Sequence, residues 1–490
     1  MEETPMEESP SNRTLMEESE VTVVDVKSSH LSESMQQKLN TLWGQPNETE
    51  NFTIFRAPCN IRKTKKNLFE PFVVSIGPFH RGHTSLHSME EKKWRFLRDY
   101  MSRGDHINLD LCISEMRLLE ERTRRCYSET VHLNSDGFVE MMLLDGCFVL
   151  EYFLKCREGN SNSIFEVGWN SAFILSDLLL LENQIPFFVV EKLYEIGIQQ
   201  DDQMHFLNYL ATVMAARGPT GNPNLPTPPS TIHHLVHLCY HCSVPNPERP
   251  VVLSSKSFDL SRMLSPSRIK YFLLDLLIRV LRFPVTYRGR PPLIPFTTRN
   301  RSVMVIPCAT ELQDTGVKFR PKLTPRHMFD ISFDHGVLEI PRLSITDDTK
   351  PLFANLVAFE QCKLGEINAH LTSFASFLDS LVNTKKDVMI LQQCGIVENC
   401  LSSEEELTNF FNQVGEGAVL LDGHFLAELF IEVNRYCESS WNRQRARLLR
   451  DYFSSPWAAI SLIAALILLV LTCVQSFFAV YAYFVPPRSS

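Results

Sequence analysis

Between Tyr452 and Pro487 the chain carries no charged side chain, and Trp457–Tyr483 reads WAAISLIAALILLVLTCVQSFFAVYAY. A helix rises about 1.5 Å per residue, so roughly 20 apolar residues match a ~30 Å hydrocarbon core. A helix buried in a globular core normally keeps a polar stripe, and this run has none. The expectation is one transmembrane helix over residues 457–484, followed by a short tail, 485–490. Ser455 is placed to cap it, and Pro456 sits at the first helical position, where a missing N–H costs nothing. Trp457, Tyr481 and Tyr483 fall near the ends as interfacial aromatics, and Gln475 is the strongly polar residue inside.

Orientation is expected from the flanks. Arg443, Arg445, Arg447 and Arg450 precede the run and only Arg488 follows it. Positive charge on the N-terminal side keeps the body cytoplasmic, in a single-pass protein of the plasma membrane or an endomembrane. The opening MEETPMEESP is acidic and lacks an apolar stretch, so no secretory signal peptide is expected. The bilayer is thus the first expected partner, and anionic lipid would add about 1 kcal/mol per arginine.

The net charge of −9 is concentrated in the first fifty residues, which hold 11 acidic and 3 basic side chains. The rest is nearly neutral, which excludes an overall nucleic-acid footprint. Residues 1–50 are polar and poor in aromatics and read as a disordered acidic tail. Thirteen cysteines without framework spacing suit reduced thiols. With 44% hydrophobic residues, 51–452 is rich enough for a substantial core.

Helical patterns dominate that body. Leu86–Met101 is amphipathic, and Phe138–Lys155 is strongly apolar around Asp145. Ala172–Ile196 is apolar on nearly all sides, but Pro186 must break it near Ile185. Asp177 and Glu182 make it a buried core pair rather than a span. The Pro/Gly/Asn-rich stretch 217–230 is the best internal boundary, and 268–301 carries eight basic residues against Asp275. Short apolar runs at Ser302–Pro307, Val317–Arg320, Met328–Phe333 and Val337–Ile340 predict a small antiparallel sheet within about 302–345, with Asp334-His335-Gly336 as a hairpin loop. Helices resume from Leu352, Ser403 and Glu406 form a capping box, and Ala427–Phe453 is a further helix. The fold class expected is mainly α with a small antiparallel β insert and a single C-terminal transmembrane helix.

Chemistry is sparse. Gly415-Glu416-Gly417 lacks the third glycine and preceding strand of a nucleotide loop, and no serine elbow, zinc-protease or kinase motif occurs. No cofactor, metal or catalytic residue is assigned. His233, His237 and His241 recur every four residues, but a straight helix spreads them over about 12 Å, too far for one ion. His80, His83 and His87 follow a Gly/Pro turn. Asp145, Asp177 and Glu182 lie inside apolar runs, where a carboxylate must be paired or neutralised. Convergence of His80 with these acids in one pocket would indicate an enzyme; bonding of each acid to amides or arginines would indicate a structural role.

The strings PFVVSIGPFHRG, LHSMEEKKWRFL, MMLLDGCFVLEYF, DLLLLENQIPFFVVEKLY, FDISFDHGVLEIPRLSITDDT and EVNRYCESSWNRQRARLLRDYFSSPWAAIS resemble the plant family called domain of unknown function 247. The resemblance covers about Ile54–Val480. It implies a plant membrane protein with one C-terminal span and no established activity. Association of some grass relatives with pollen self-incompatibility implies recognition by protein contact. Arg81 stands where many relatives have a second histidine, and Gln444 where an aromatic is common. The function expected is a membrane-tethered protein–protein recognition or signalling module with an unidentified protein partner. The alternatives are a membrane-associated enzyme with a His/carboxylate site and a structural scaffold.

Overall fold

The computed structural model describes residues 30–40, 52–63, 65–159, 171–198, 203–217, 229–244, 305–363, 367–439, 444 and 456–484. Its helices are α1 (30–40), α2 (Cys59–Arg62), α3 (His87–Met101), α4 (Leu109–Arg124), α5 (Ser135–Arg157), α6 (Ser171–Leu178), α7 (Phe187–Gly197), α8 (Gln203–Ala216), α9 (Leu235–Ser243), α10 (Ala309–Asp314), α11 (Thr349–Cys362), α12 (His370–Leu381), α13 (Lys385–Gln393), α14 (Glu404–Val414), α15 (Ala427–Glu438) and α16 (Pro456–Phe484). The strands are β1 (Lys318–Lys322), β2 (Ser332–Asp334), β3 (Val337–Pro341), β4 (Leu343–Ile345) and β5 (Val397–Asn399).

Helix α5 is the axis of the N-terminal half. Its start is fixed by Asn134, whose side chain accepts from Gly137 N at 2.9 Å and satisfies one orphan amide. From Met141 to Leu154 every side chain is buried, because α3, α4 and α7 surround it. A helix apolar on nearly all sides belongs in such an enclosure. Each large apolar side chain so enclosed contributes about 1.5–3 kcal/mol. Pro186 acts as expected: α6 ends at Leu178, α7 starts at Phe187, and 179–186 turns between them.

Helices α11–α14 build the C-terminal core around Phe353, Phe359, Phe374 and Phe411. Ser403 caps α14 by accepting from Glu406 N at 3.1 Å. Two small sheets lie beside these helices. The first has the order β1-β3-β2, with β2 antiparallel to β3 (Phe333 opposite Leu338) and β1 parallel to it (Phe319 opposite Leu338). The second pairs β4 and β5 in parallel, with Ser344 opposite Glu398. The all-antiparallel insert expected from the sequence is therefore corrected to mixed pairing. The hairpin uses up one edge of β3, so β1 adds to the other edge in the parallel sense, and β5 comes from a segment whose pairing no local pattern announces. No strand forms over 305–307, and the rest of the expected first strand, 302–304, lies outside the described residues.

The hairpin loop is two residues, tighter than expected. His335 (φ 48°) and Gly336 (φ 81°) both take positive φ, as a type I′ turn requires. A Cβ on Gly336 would also lie 2.4 Å from Tyr436 Oη.

The C-terminal helix forms as α16, but the span does not stand. Among the described residues no helix is long and apolar enough to cross a membrane. The expected transmembrane helix, and with it the single-pass membrane localisation and its cytoplasmic orientation, are corrected accordingly. Gln475 is exposed on α16. The side chains of Trp457, Tyr481 and Tyr483 lie outside the described residues, as do Arg443, Arg445, Arg447 and Arg450 and the segments 217–230 (from 218 to 228) and 268–301.

Gly336→Ala should destabilise the protein by about 1–3 kcal/mol, combining left-handed strain with displacement of Tyr436. Thermal unfolding checks this; an unchanged Tm would show that the turn relaxes freely.

Candidate functional site

The irregular segment Phe72–Gly77 belongs to no sheet, so its backbone amides must find other partners or remain unpaired at a cost. Side chains supply them. Asp177 Oδ1 accepts from Phe72 N at 2.9 Å, and Oδ2 accepts from Val73 N at 2.6 Å and Val74 N at 2.9 Å. Asn183 Oδ1 accepts from Ile76 N at 2.6 Å while its Nδ2 donates to Val74 O at 3.0 Å. Asp145 Oδ2 accepts from Gly77 N at 2.8 Å, and Lys93 Nζ donates to Ser75 O at 2.6 Å. Gly77 has φ +73° and lies so close to Gln184 O that a Cβ would sit 2.3 Å from it.

The three acids in apolar runs are thereby accounted for. Asp145, 1% exposed on α5, pairs with fully buried Lys93 on α3 at 2.6 Å. Burial pushes its pKa up, opposed chiefly by Lys93. Burial raises Asp177 to about 6, while the amides of Phe72, Val74 and Val73 pull it down. Glu182 is fully buried and accepts from Arg62 Nε at 2.8 Å, Ala57 N at 3.1 Å and Arg56 Nη1 at 3.2 Å. Its successors are as fully used. Gln184 Nε2 donates to Leu178 O at 2.7 Å and Leu180 O at 2.8 Å, and its Oε1 accepts from Leu235 N at 3.1 Å. The run Glu182-Asn183-Gln184 therefore ties the ends of α6 and α9 to the Phe72–Gly77 segment.

His80 joins this network at its edge. It is buried, with Nε2 3.7 Å from Glu182 Oε2 and outside hydrogen-bond distance. Burial, then Arg56 and His83, lower its pKa to about 4. His83 lies beside it, with ring centroids 5.6 Å apart, and His87 opens α3. The structure thus brings His80 near Glu182 but bonds each acid to amides, a lysine or arginines, which leaves no carboxylate uncommitted for acid–base work.

The second histidine group is closer than a straight helix predicts, because His233 precedes α9. His233 N donates to His237 Nδ1 at 3.3 Å, and His237 and His241 approach at 3.1 Å between Nε2 atoms. Desolvation lowers His237 to about 2 and His234, buried at the helix N-cap, to about 3. His233 N–H occupies His237 Nδ1, so the His237 proton sits on Nε2 and is shared with His241. Among the described residues no group of three or more His, Cys, Asp or Glu side chains is arranged to hold a metal.

Sequence reasoning singled out Asp145, Asp177 and Glu182 but missed their partners Arg56, Arg62, Lys93 and Asn183, and missed Gln184 beside them. The signal was the polar triplet inside LLLLENQIPFF, since three successive polar residues in a buried run must each be satisfied.

Lys93→Met should destabilise by about 3–5 kcal/mol, because it leaves buried Asp145 uncompensated, and Asp145→Asn by less, because Glu90 Oε1 still pairs with Lys93 Nζ at 2.6 Å; K93M/D145N should lose less than the sum. Denaturant unfolding of the cycle checks this, and strict additivity would refute the pairing. His80 has a folded pKa below the ~6.5 of an unfolded histidine, so the unfolded chain takes up its proton first. Its contribution is full above pH 6.5 and is lost as pH falls toward 4. His80→Gln should flatten the stability loss in that window, and an unchanged pH profile would rule this out.

Residues 54–471 match DUF247, described as plant protein of unknown function. UPF0481 protein At3g47200 of Arabidopsis thaliana is 28% identical over 445 residues, 89% of this chain and 87% of the relative. Putative UPF0481 protein At3g02645 of the same plant is 23% identical over 495 residues, 90% of this chain and 93% of the relative. No solved structure matches the chain. With one family pattern spanning most of its length, the chain belongs to the DUF247 family of plant proteins of unknown function.

Proposed function

We propose that this chain is a protein–protein recognition module that engages its partner through Phe72 and Phe173. The observation that carries the reading is an aromatic pair held at the surface by buried chemistry. Phe72 is 71% exposed and Phe173 46% exposed, with ring centroids 5.8 Å apart. Both are rigidly placed, since α6 carries Phe173 and also Asp177, which grips the amides of Phe72, Val73 and Val74. Exposed apolar rings have a hydration cost, and aromatic anchors on rigid supports are the usual centres of binding energy in interfaces. The commitment of Asp145, Asp177 and Glu182 to structural bonds supports recognition over acid–base chemistry.

Affinity capture from plant extract should recover a reproducible partner with the unmodified protein and lose it with Phe72→Ala/Phe173→Ala. A hot-spot aromatic costs at least about 2 kcal/mol when truncated, or roughly thirtyfold in Kd. Capture of the same partners by the double variant would refute the proposal. Circular dichroism must show that the double variant remains folded.

A further inference from the structure

A cavity of about 320 Å³ opens where α6, the end of α8, β4 and the start of α11 meet. None of His80, Asp145, Asp177 and Glu182 lines it, nor do Phe72 and Phe173. It holds the volume of about ten waters and lies at the lower end of the range for small-molecule sites. Leu179 and Leu352 supply an apolar surface. Around it stand four hydroxyls, Ser176, Ser344, Thr346 and Thr349, and one ion pair, Arg217 Nη1 to Asp348 Oδ2 at 3.1 Å.

We propose that this cavity binds a neutral polyhydroxylated small molecule of monosaccharide size. The charges decide against an ion: among the described lining residues guanidinium and carboxylate neutralise each other, so a net anion or cation finds no unbalanced partner there. Both charged groups keep hydrogen-bonding capacity beyond the pair. A guanidinium has five N–H donors, and a carboxylate has two oxygens with several lone pairs. One of each is used by the pair. A donor fork beside an acceptor suits adjacent hydroxyls, which both donate and accept. Thr346 and Thr349 are preorganised, since Thr346 N donates to Thr349 Oγ1 at 3.0 Å and the two hydroxyl oxygens are 3.0 Å apart. The leucines suit the C–H face of a saturated ring.

The test is saturation-transfer NMR on the full chain with D-glucose and myo-inositol at millimolar concentration, and with glucose 6-phosphate as the charged control. Transfer to at least one neutral probe is expected, weakened about tenfold by Asp348→Asn. Ser176→Ala removes a single hydroxyl and should also weaken it, which keeps the test decisive if Asp348→Asn unfolds. No transfer to either neutral probe, transfer to the phosphorylated probe alone, or transfer unchanged by both variants would overturn the proposal. The partner-binding variant Phe72→Ala/Phe173→Ala should leave it unaltered, which separates this site from the recognition surface.

Discussion

The fold depends on the satisfaction of one stretch of backbone. Phe72–Gly77 is irregular backbone without a neighbouring strand, buried from Val73 onward, and Asp177, Asn183, Asp145 and Lys93 bond its polar groups. In water those groups would be hydrated at no cost; inside, each must be matched. The match comes from α3, α5, α6 and the α6–α7 connection, so the relative placement of these elements is fixed by hydrogen-bond geometry as well as by apolar packing. Buried charge here specifies an arrangement. Its net worth in stability is modest because desolvation offsets attraction.

The same polar triplet serves three neighbours. Glu182 receives Arg56, Arg62 and the Ala57 amide, Asn183 receives the Ile76 amide, and Gln184 closes the end of α6 and the start of α9. Pro186 follows after Ile185 and stands at the N-cap of α7. With α6 ended at Leu178, Glu182, Asn183 and Gln184 lie in the non-helical connection and turn inward.

Much of the helical half was legible in the sequence. Periodicity placed α3, α5 and α14 within a few residues, and Pro186 located the break between α6 and α7 because its effect is local and steric. The hairpin at His335-Gly336 was legible for the same reason. The parallel partners β1 and β5 were not, since parallel pairing joins distant segments with no turn to mark it. The apolar run at 457–483 announced a helix correctly, but its hydropathy carried the expectation further, to a span that the described residues do not provide. At the candidate site, the buried acids were legible as exceptions to apolar patterning. Their partners were not, because Arg56, Arg62 and Lys93 look like ordinary surface residues until the fold closes over them.

Three further bonds bear on the order of assembly. Asn355 on α11 accepts from Leu181 N at 2.7 Å and donates to Leu68 O at 2.7 Å, and Lys65 Nζ reaches Val414 O at 3.4 Å. The polar groups flanking Phe72–Gly77 thus find their last partners nearly three hundred residues or more downstream. During synthesis, a chain emerging at about 5–20 residues per second leaves this early segment incomplete for tens of seconds. The part translated first is among the last to be finished, and for that interval its apolar neighbours stand open to whatever chaperone meets them.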